Sequence, residues 1–458
     1  MYLCLLSSMF FTALTGLDLT SKPINPIPSC CDNLFYGVVS LNFALGRGIS
    51  VSELPGGYEY PIPPRVLYKL LTDRPDNYTP TNSRAPLFMV TYGFLTWLFS
   101  FNMAKAMLWY VLIGTFFMML FVFLILQEAT KSLLAPLLAQ FLMWFYRPSG
   151  FWFAFMTLPS NLLILTTCYF TAQVIRSDKQ TFALVAGLSA SLLVLTRFQW
   201  SLFICLLTFH LGFLFMKRKI KRNQLTCFLI PLIILNFGWM VRNRIQLGYW
   251  EHTPRSAYNF LCRVADNGRA KEVPWRKPET INYIKETLQA DVPYSLTSPA
   301  LERYYLKCAF KILNSNGYGN YKNYIFSTFE YLFNIWSFKF DSSIKKEIFP
   351  DFRSGFFNKV FTKLKYPAFI FIGIFNRIAS FWFFAGLIHL IACKKSPRIS
   401  ALKILGAATF YFSMTMALFS NIWHYMNMTV IGIWCMVGFS FYLFYQKIFQ
   451  AATSRNIS

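Results

Sequence analysis

Long apolar runs, interrupted by short polar turns, dominate the chain. They fall at about 85–101, 106–126, 132–146, 150–175, 180–196, 200–216, 225–241, 367–392, 400–419 and 425–446. Leu, Phe, Ile, Met and Trp fill these runs with few charges, and a helix crosses a bilayer in about 20 such residues. An N-terminal run, "MYLCLLSSMFFTALTG", is short for a crossing. It also lacks the basic head and small-residue cleavage site of a signal peptide. The pattern predicts an all-α, polytopic membrane protein with about 10–12 crossing helices. Two polar regions, 17–84 and 242–366, divide it into an N-terminal membrane module (1–241), a large loop (242–366) and C-terminal membrane helices (367–458).

The polar regions carry their own patterns. "SCCDNLFYGVVSLNFALGRGIS" (29–50) predicts an amphipathic helix starting at Asp32. Phe35, Val39, Leu41, Ala44 and Leu45 supply much of one face, widened by Tyr36 and Phe43. A Gly-Arg-Gly break ends it. "ELPGGYEYPIPPR" (53–65) is a Pro/Gly-rich loop. "SPALERYYLKCAFKILNSNG" (298–317) predicts a helix with Ser298 as N-cap and Gly317 near its end. "NYIFSTFEYLFNIWSF" (323–338) is aromatic and amphipathic, which suits either an interfacial helix or plain membrane packing.

Charge adds orientation. The chain of 458 residues is 55% hydrophobic and only 14% charged, with a net charge of +25. Its basic residues flank apolar runs, which points to the positive-inside bias and anionic lipid and away from nucleic acid. "KRKIKRN" (217–223) and "CKKSPR" (393–398) are then cytoplasmic, and 242–366 faces the other side. One fault remains. If every run from 85 to 175 crosses fully, "KRKIKRN" comes out on the wrong side, so one run between 101 and 158 is expected to be broken, with Pro148 and Pro159 as candidate places. Of ten cysteines, Cys30, Cys31, Cys262 and Cys308 lie in polar stretches, with room for one disulfide. No CxxC pair or His/Cys cluster suggests a metal.

Asp32 heads its helix, where a carboxylate caps free N–H groups. Other ionisable groups gather on the same predicted face: Arg84 in "SRAPLF", Arg197 in "LTRFQW", Arg242 and Arg244 in "WMVRNRIQLG", His424 and Tyr425 in "NIWHYMN". Each cation alone fits a snorkelling membrane-edge charge. Together with one carboxylate they suit a lipid phosphate and a base.

In order, these motifs resemble membrane glycosyltransferases of the GT-C class, in particular the bacterial protein O-mannosyltransferase-like and aminoarabinose transferase-like enzymes. "DNLFYGVVSLNFALGRGIS" is similar to that family's first outer loop, "RAPLF" to its entry into the second span, and "AGLSASLLVLTR" to its Leu-Thr-Arg helix. "VRNRIQLG" resembles its step into the large loop, "ALERYYLKCAFKIL" the loop helix, and "HYMNMT" a late Arg-Tyr. The chain departs from the pattern at Asn33, where relatives often have Glu, at Ala85 in place of Pro, in "TLPSNLL" (157–163) where relatives often carry an acid, and at His424 in place of Arg.

The resemblance implies a GT-C-like helical bundle in a bacterial inner membrane, with amphipathic juxtamembrane helices in its first outer loop and a larger second one. Its donor is a polyprenyl-phosphate sugar lying in the bilayer. Its acceptor is a glycan, glycolipid or protein of the envelope, met on the periplasmic side. Asp32 would be the general base, and Arg84, Arg197, Arg242 and His424, with Tyr425, would hold the lipid phosphate and donor. The one-step attack inverts the anomeric centre. Glu53 and Glu59 are spare acids of the same loop, and neither a metal nor another cofactor is expected. Two rival readings are an O-antigen ligase or polymerase, which does not depend on an Asp after the first span, and a lipid-linked sugar transporter, which tends to hold charges near the midplane.

Overall fold

A computed structural model describes residues 2–20, 31–52, 64–73, 78–81, 85–145, 158–250, 252, 257, 260–261, 264, 299–315, 321–329, 385–386, 388–390, 399–419 and 430–455. The described chain is helical apart from one small hairpin. In order it forms α1 (Tyr2–Thr20), α2 (Cys31–Ala44), β1 (Ser50–Val51), α3 (Pro64–Thr72), β2 (Thr79–Pro80), α4 (Leu87–Leu98), α5 (Met103–Thr130) and α6 (Leu134–Phe145). Then follow α7 (Leu158–Arg176), α8 (Gln180–Thr196), α9 (Trp200–Met216), α10 (Arg222–Leu247), α11 (Pro299–Ser315), α12 (Ser400–Phe419) and α13 (Val430–Arg455). Three of these, α5, α7 and α10, are long and apolar enough to cross a membrane, and several shorter apolar helices accompany them. Large apolar side chains such as Ile233, Ile234 and Phe237 face outward from α10. In water such a surface would be costly; against acyl chains it is not.

Polar pins set the directions of the helices. Arg176 at the end of α7 pairs with Glu128 near the end of α5. Gln173 Nε2 also donates to both Glu128 oxygens at 3.3 Å. So α5 and α7 finish at the same end of the bundle. Gln224 at the start of α10 donates to the Val174 and Ser177 carbonyls at 3.1 and 2.7 Å, which brings α10 in at that end too. Lys131, Arg176, Lys179, Lys217, Arg218, Lys219, Lys221 and Arg222 all lie beside these pins or in the turn between α9 and α10, and make it the basic end. Between α5 and α7, α6 returns the other way. Its Gln140 donates to the Met119 carbonyl at 2.9 Å and to Ser8 Oγ of α1 at 3.4 Å. Among the described residues every fully buried polar side chain is uncharged.

Of the runs at 85–101 and 106–126, only the second becomes a helix long and apolar enough to cross a membrane. Helix α4 has 12 residues, about 18 Å of rise against a hydrocarbon core near 30 Å. It ends in a tight turn where Ser100 and Phe101 take positive φ, 51° and 64°. Asn102 then starts α5 by accepting from the Lys105 N–H at 3.0 Å. The two helices fold back on each other: Tyr92 Oη donates to the Met103 carbonyl at 3.1 Å, and Phe88 meets Tyr110 edge to face. If α6, α8 and α9 cross and α4 does not, the parity that "KRKIKRN" requires is met. The short helix at 87–98 lies ahead of the 101–158 interval. Pro148 lies outside the described residues. Pro159 sits in the first turn of α7, where its missing N–H costs nothing.

Helix α2 begins within a residue of the expected place. It is not a surface helix, however. Residues 37 to 42 are buried on every side, Ser40 and Asn42 included. The cause is a close approach to α4: at Gly93 a side-chain carbon would stand 2.5 Å from the Ser40 carbonyl. The loop helix expected over 298–317 is α11, which packs Ala309 and Leu313 on Leu261 and Val264. Residues 321–329 are helical; the rest of the 323–338 run lies outside the described residues, as does most of the 367–392 run. Cys308 is a free thiol.

Candidate functional site

The end of the bundle opposite the basic one is built around the first loop. The Gly-Arg-Gly break does two jobs there. Gly46 and Gly48 take φ of 80° and 67°, which only glycine adopts cheaply, and so turn the chain from α2 into β1. Arg47 between them braces the turn. Its Nη1 donates to Asn42 Oδ1 at 3.2 Å, its Nη2 to the Leu71 carbonyl of α3 at 2.9 Å, and its guanidinium lies over Tyr78. Asn42 Nδ2 reaches the Ser50 carbonyl and Ser52 Oγ at 3.1 and 2.9 Å. β1 and β2 then pair antiparallel, Ser50 opposite Pro80 and Val51 opposite Thr79.

Arg242 fastens this hairpin to the membrane bundle. From the last turns of α10, Nη1 donates to the Thr81 carbonyl at 2.9 Å and Nη2 to the Ile49 carbonyl at 2.8 Å, one on each strand's flank. Nη1 also reaches Asn243 Oδ1 at 3.0 Å, and the guanidinium stacks over Trp239. Spacings of three and four put Trp239, Arg242 and Asn243 on one helix face. Arg244, two residues on, faces away and bonds the Gly248 carbonyl, closing its own helix end, where Gly248 takes φ of 84°.

The same face holds a residue that sequence reading passed over. The His252 carbonyl accepts from Trp239 Nε1 at 3.0 Å and from Asn243 Nδ2 at 3.2 Å. Its ring packs on Phe198, centroids 4.9 Å apart. His252 Nε2 is buried and, among the described residues, has no hydrogen-bond partner. Burial pulls its pKa below the ordinary histidine value. Phe198 follows Arg197, which ends α8 in an extended conformation and whose carbonyl accepts from the Trp200 N–H at 3.1 Å. Tyr411 of α12 donates to the Gln199 carbonyl at 2.6 Å, so the C-terminal helices join this end as well. No sequence signal marks His252, because its role depends on what α8 and α10 place around it.

Of the predicted site residues, Arg197 and Arg242 are therefore brought to one end, linked through Phe198, His252 and Asn243. Asp32 lies in the first turn of α2, one residue inside the helix. Its side chain, and Arg84, Glu53, Glu59, His424 and Tyr425, lie outside what the structure describes. Among the described residues no three His, Cys, Asp or Glu side chains gather. Comparison with models of known protein families and with curated proteins finds no match to this chain.

Proposed function

We propose that this chain is a membrane glycosyltransferase of GT-C-like architecture, with about 10–12 crossing helices, set in a bacterial inner membrane with its hairpin end in the periplasm. It moves a sugar from a polyprenyl-phosphate donor to an envelope glycan, glycolipid or protein. The observation that carries the reading is the Arg242 clamp. It fixes the first loop, which follows directly from the acid-bearing α2, to the end of the bundle where Arg197 also lies. A loop that follows the acid-bearing helix and a membrane-edge cation at the same end support a one-step transfer at the bilayer surface.

The chemistry assigns Asp32 as general base. It takes the proton of the acceptor hydroxyl as that oxygen bonds to the anomeric carbon. The bond from that carbon to the lipid phosphate breaks, and the phosphate leaves as an anion. Guanidinium groups stabilise that charge without protonating it. Arg84, Arg197 and Arg242 supply the guanidinium groups for this task, with His424 as a further donor, and three of the Arg242 N–H contacts also go to the protein.

Asp32→Asn tests the assignment. Asparagine keeps the shape and still suits a helix start. In purified enzyme reconstituted in lipid and supplied with polyprenyl-phosphate sugars, turnover should fall about 100-fold or more, the contribution of a general base. Unchanged turnover would remove Asp32 from the mechanism. Failure of the wild-type protein to consume any such donor would remove the transferase reading itself.

A further inference from the structure

We propose that α11 and residues 321–329 of the large loop form a docking face for the surface of an anionic bilayer. This does not depend on the transferase chemistry. The two helices share a small core of their own: Leu261, Val264, Ala309 and Leu313, with Phe260 and Tyr324 packed around it. Phe260 meets both Phe310 and Tyr324 edge to face, and Tyr321 Oη donates to Asn314 Oδ1 at 2.7 Å. The pair is thus a built unit, and what it leaves outside has a definite form.

That outside is apolar and basic. Leu306 and Phe310 lie one turn apart on α11, exposed. On 321–329, Ile325, Phe326 and Phe329 are exposed, Phe326 at 71% and Phe329 at 65%. Beside the apolar row of α11 runs a cationic one, Arg303, Lys307 and Lys311, spaced by four and all exposed, with Lys322 on the second helix. Large apolar side chains exposed on two helices packed together are unfavourable in water and mark an interaction surface. Aromatic side chains flanked by lysine and arginine fit the boundary where acyl chains meet phosphate headgroups: rings enter the apolar side, and the long basic side chains reach back to the phosphates.

Position selects the bilayer over other occupants. Leu247 ends a candidate crossing helix, and Ala257 already belongs to the loop. Even fully extended, that connection spans at most about 35 Å. The nearest large apolar surface with an anionic rim is the membrane that α10 leaves. Each basic residue near an anionic surface strengthens binding about five-fold, so three in a row distinguish anionic from neutral lipid.

The test uses the full chain in nanodiscs of phosphatidylcholine alone or mixed with phosphatidylglycerol. A photoreactive benzoylphenylalanine replaces Phe326, and in a second protein Phe310, and photoproducts are identified by mass. The expected result is a phospholipid adduct as the major product in the anionic discs, falling several-fold in neutral discs and in the variant R303E/K307E/K311E. The disc comparison keeps the test decisive even if that variant folds poorly. Coupling to another segment of the chain, or to a second copy, in both kinds of disc would overturn the proposal. Equal lipid yields in both discs would overturn the headgroup contacts.

Discussion

At the scale of single residues, Arg242 and His252 carry the most testable physics. Arg242 holds two carbonyls, Ile49 and Thr81, that belong to different flanks of one hairpin. A planar fork spans two acceptors; a single ammonium does not. Arg242→Ala should therefore cost about 2 kcal/mol, in the range for hydrogen bonds from a charged group. Arg242→Lys should recover little of it. Thermal unfolding of the detergent-solubilised protein checks both, and limited proteolysis should find the first loop opened in each. His252 gives a pH dependence. Its folded-state pKa lies below the ordinary 6.5, because burial disfavours the imidazolium. The unfolded chain takes up that proton first as pH falls, so this contribution to stability is complete above about 6.5 and is lost on acidification below it. Melting temperature should drop between pH 7.5 and 5.5, and His252→Gln should flatten that part of the profile. Neither role was legible in the sequence. A snorkelling arginine and a clamping one have the same neighbours in the chain, and a histidine just past a membrane helix acquires its surroundings only from α8 and α10.

At the scale of elements, close approaches decide which helices pair. At Gly187 on α8, a side-chain carbon would stand 2.1 Å from the Phe228 carbonyl of α10. The obstacle is backbone, so it cannot rotate away. Gly187→Ala must push the two helices apart, at a cost of about 1–3 kcal/mol. A lowered melting temperature would register this, whereas Gly212→Ala on α9, which meets open space, should leave it unchanged. Element existence was largely readable beforehand: α2, α8, α9 and α11 all occupy their expected stretches, since long periodic runs flanked by breakers leave few alternatives. What hydrophobicity could not distinguish was a crossing from a hairpin. The 85–101 run is as apolar as its neighbours, and only the positive φ at Ser100 and Phe101 and the Tyr92 bond to the Met103 carbonyl reveal that the chain doubles back. Likewise α2 has an amphipathic pattern, yet Ser40 and Asn42 are both buried, because α4 approaches closely at Ser40 and the first loop supplies partners for Asn42.

At the scale of the whole molecule, the short α4 sets the topology of everything before it. Two full crossings at 85–101 and 106–126 would put Tyr78 and Leu133 on one side of the membrane. With α5 alone crossing, they lie on opposite sides. Contacts at the two ends favour the second arrangement: Glu128 at the end of α5 reaches Arg176, beside the start of α10, whereas Thr81 meets Arg242 near the far end of α10. Cysteines at Tyr78, Leu133 and Lys217, placed one at a time in a background without reactive native thiols, separate the two cases. An impermeant maleimide added to sealed vesicles of known orientation should modify Leu133→Cys and Lys217→Cys from the same side and Tyr78→Cys from the other. Modification of all three from one side would make α4 a crossing and would take the first loop to the basic face. The Arg242 clamp would then have to form across the bilayer, which a hydrogen bond of 2.8 Å forbids. The topology and the clamp therefore stand or fall together.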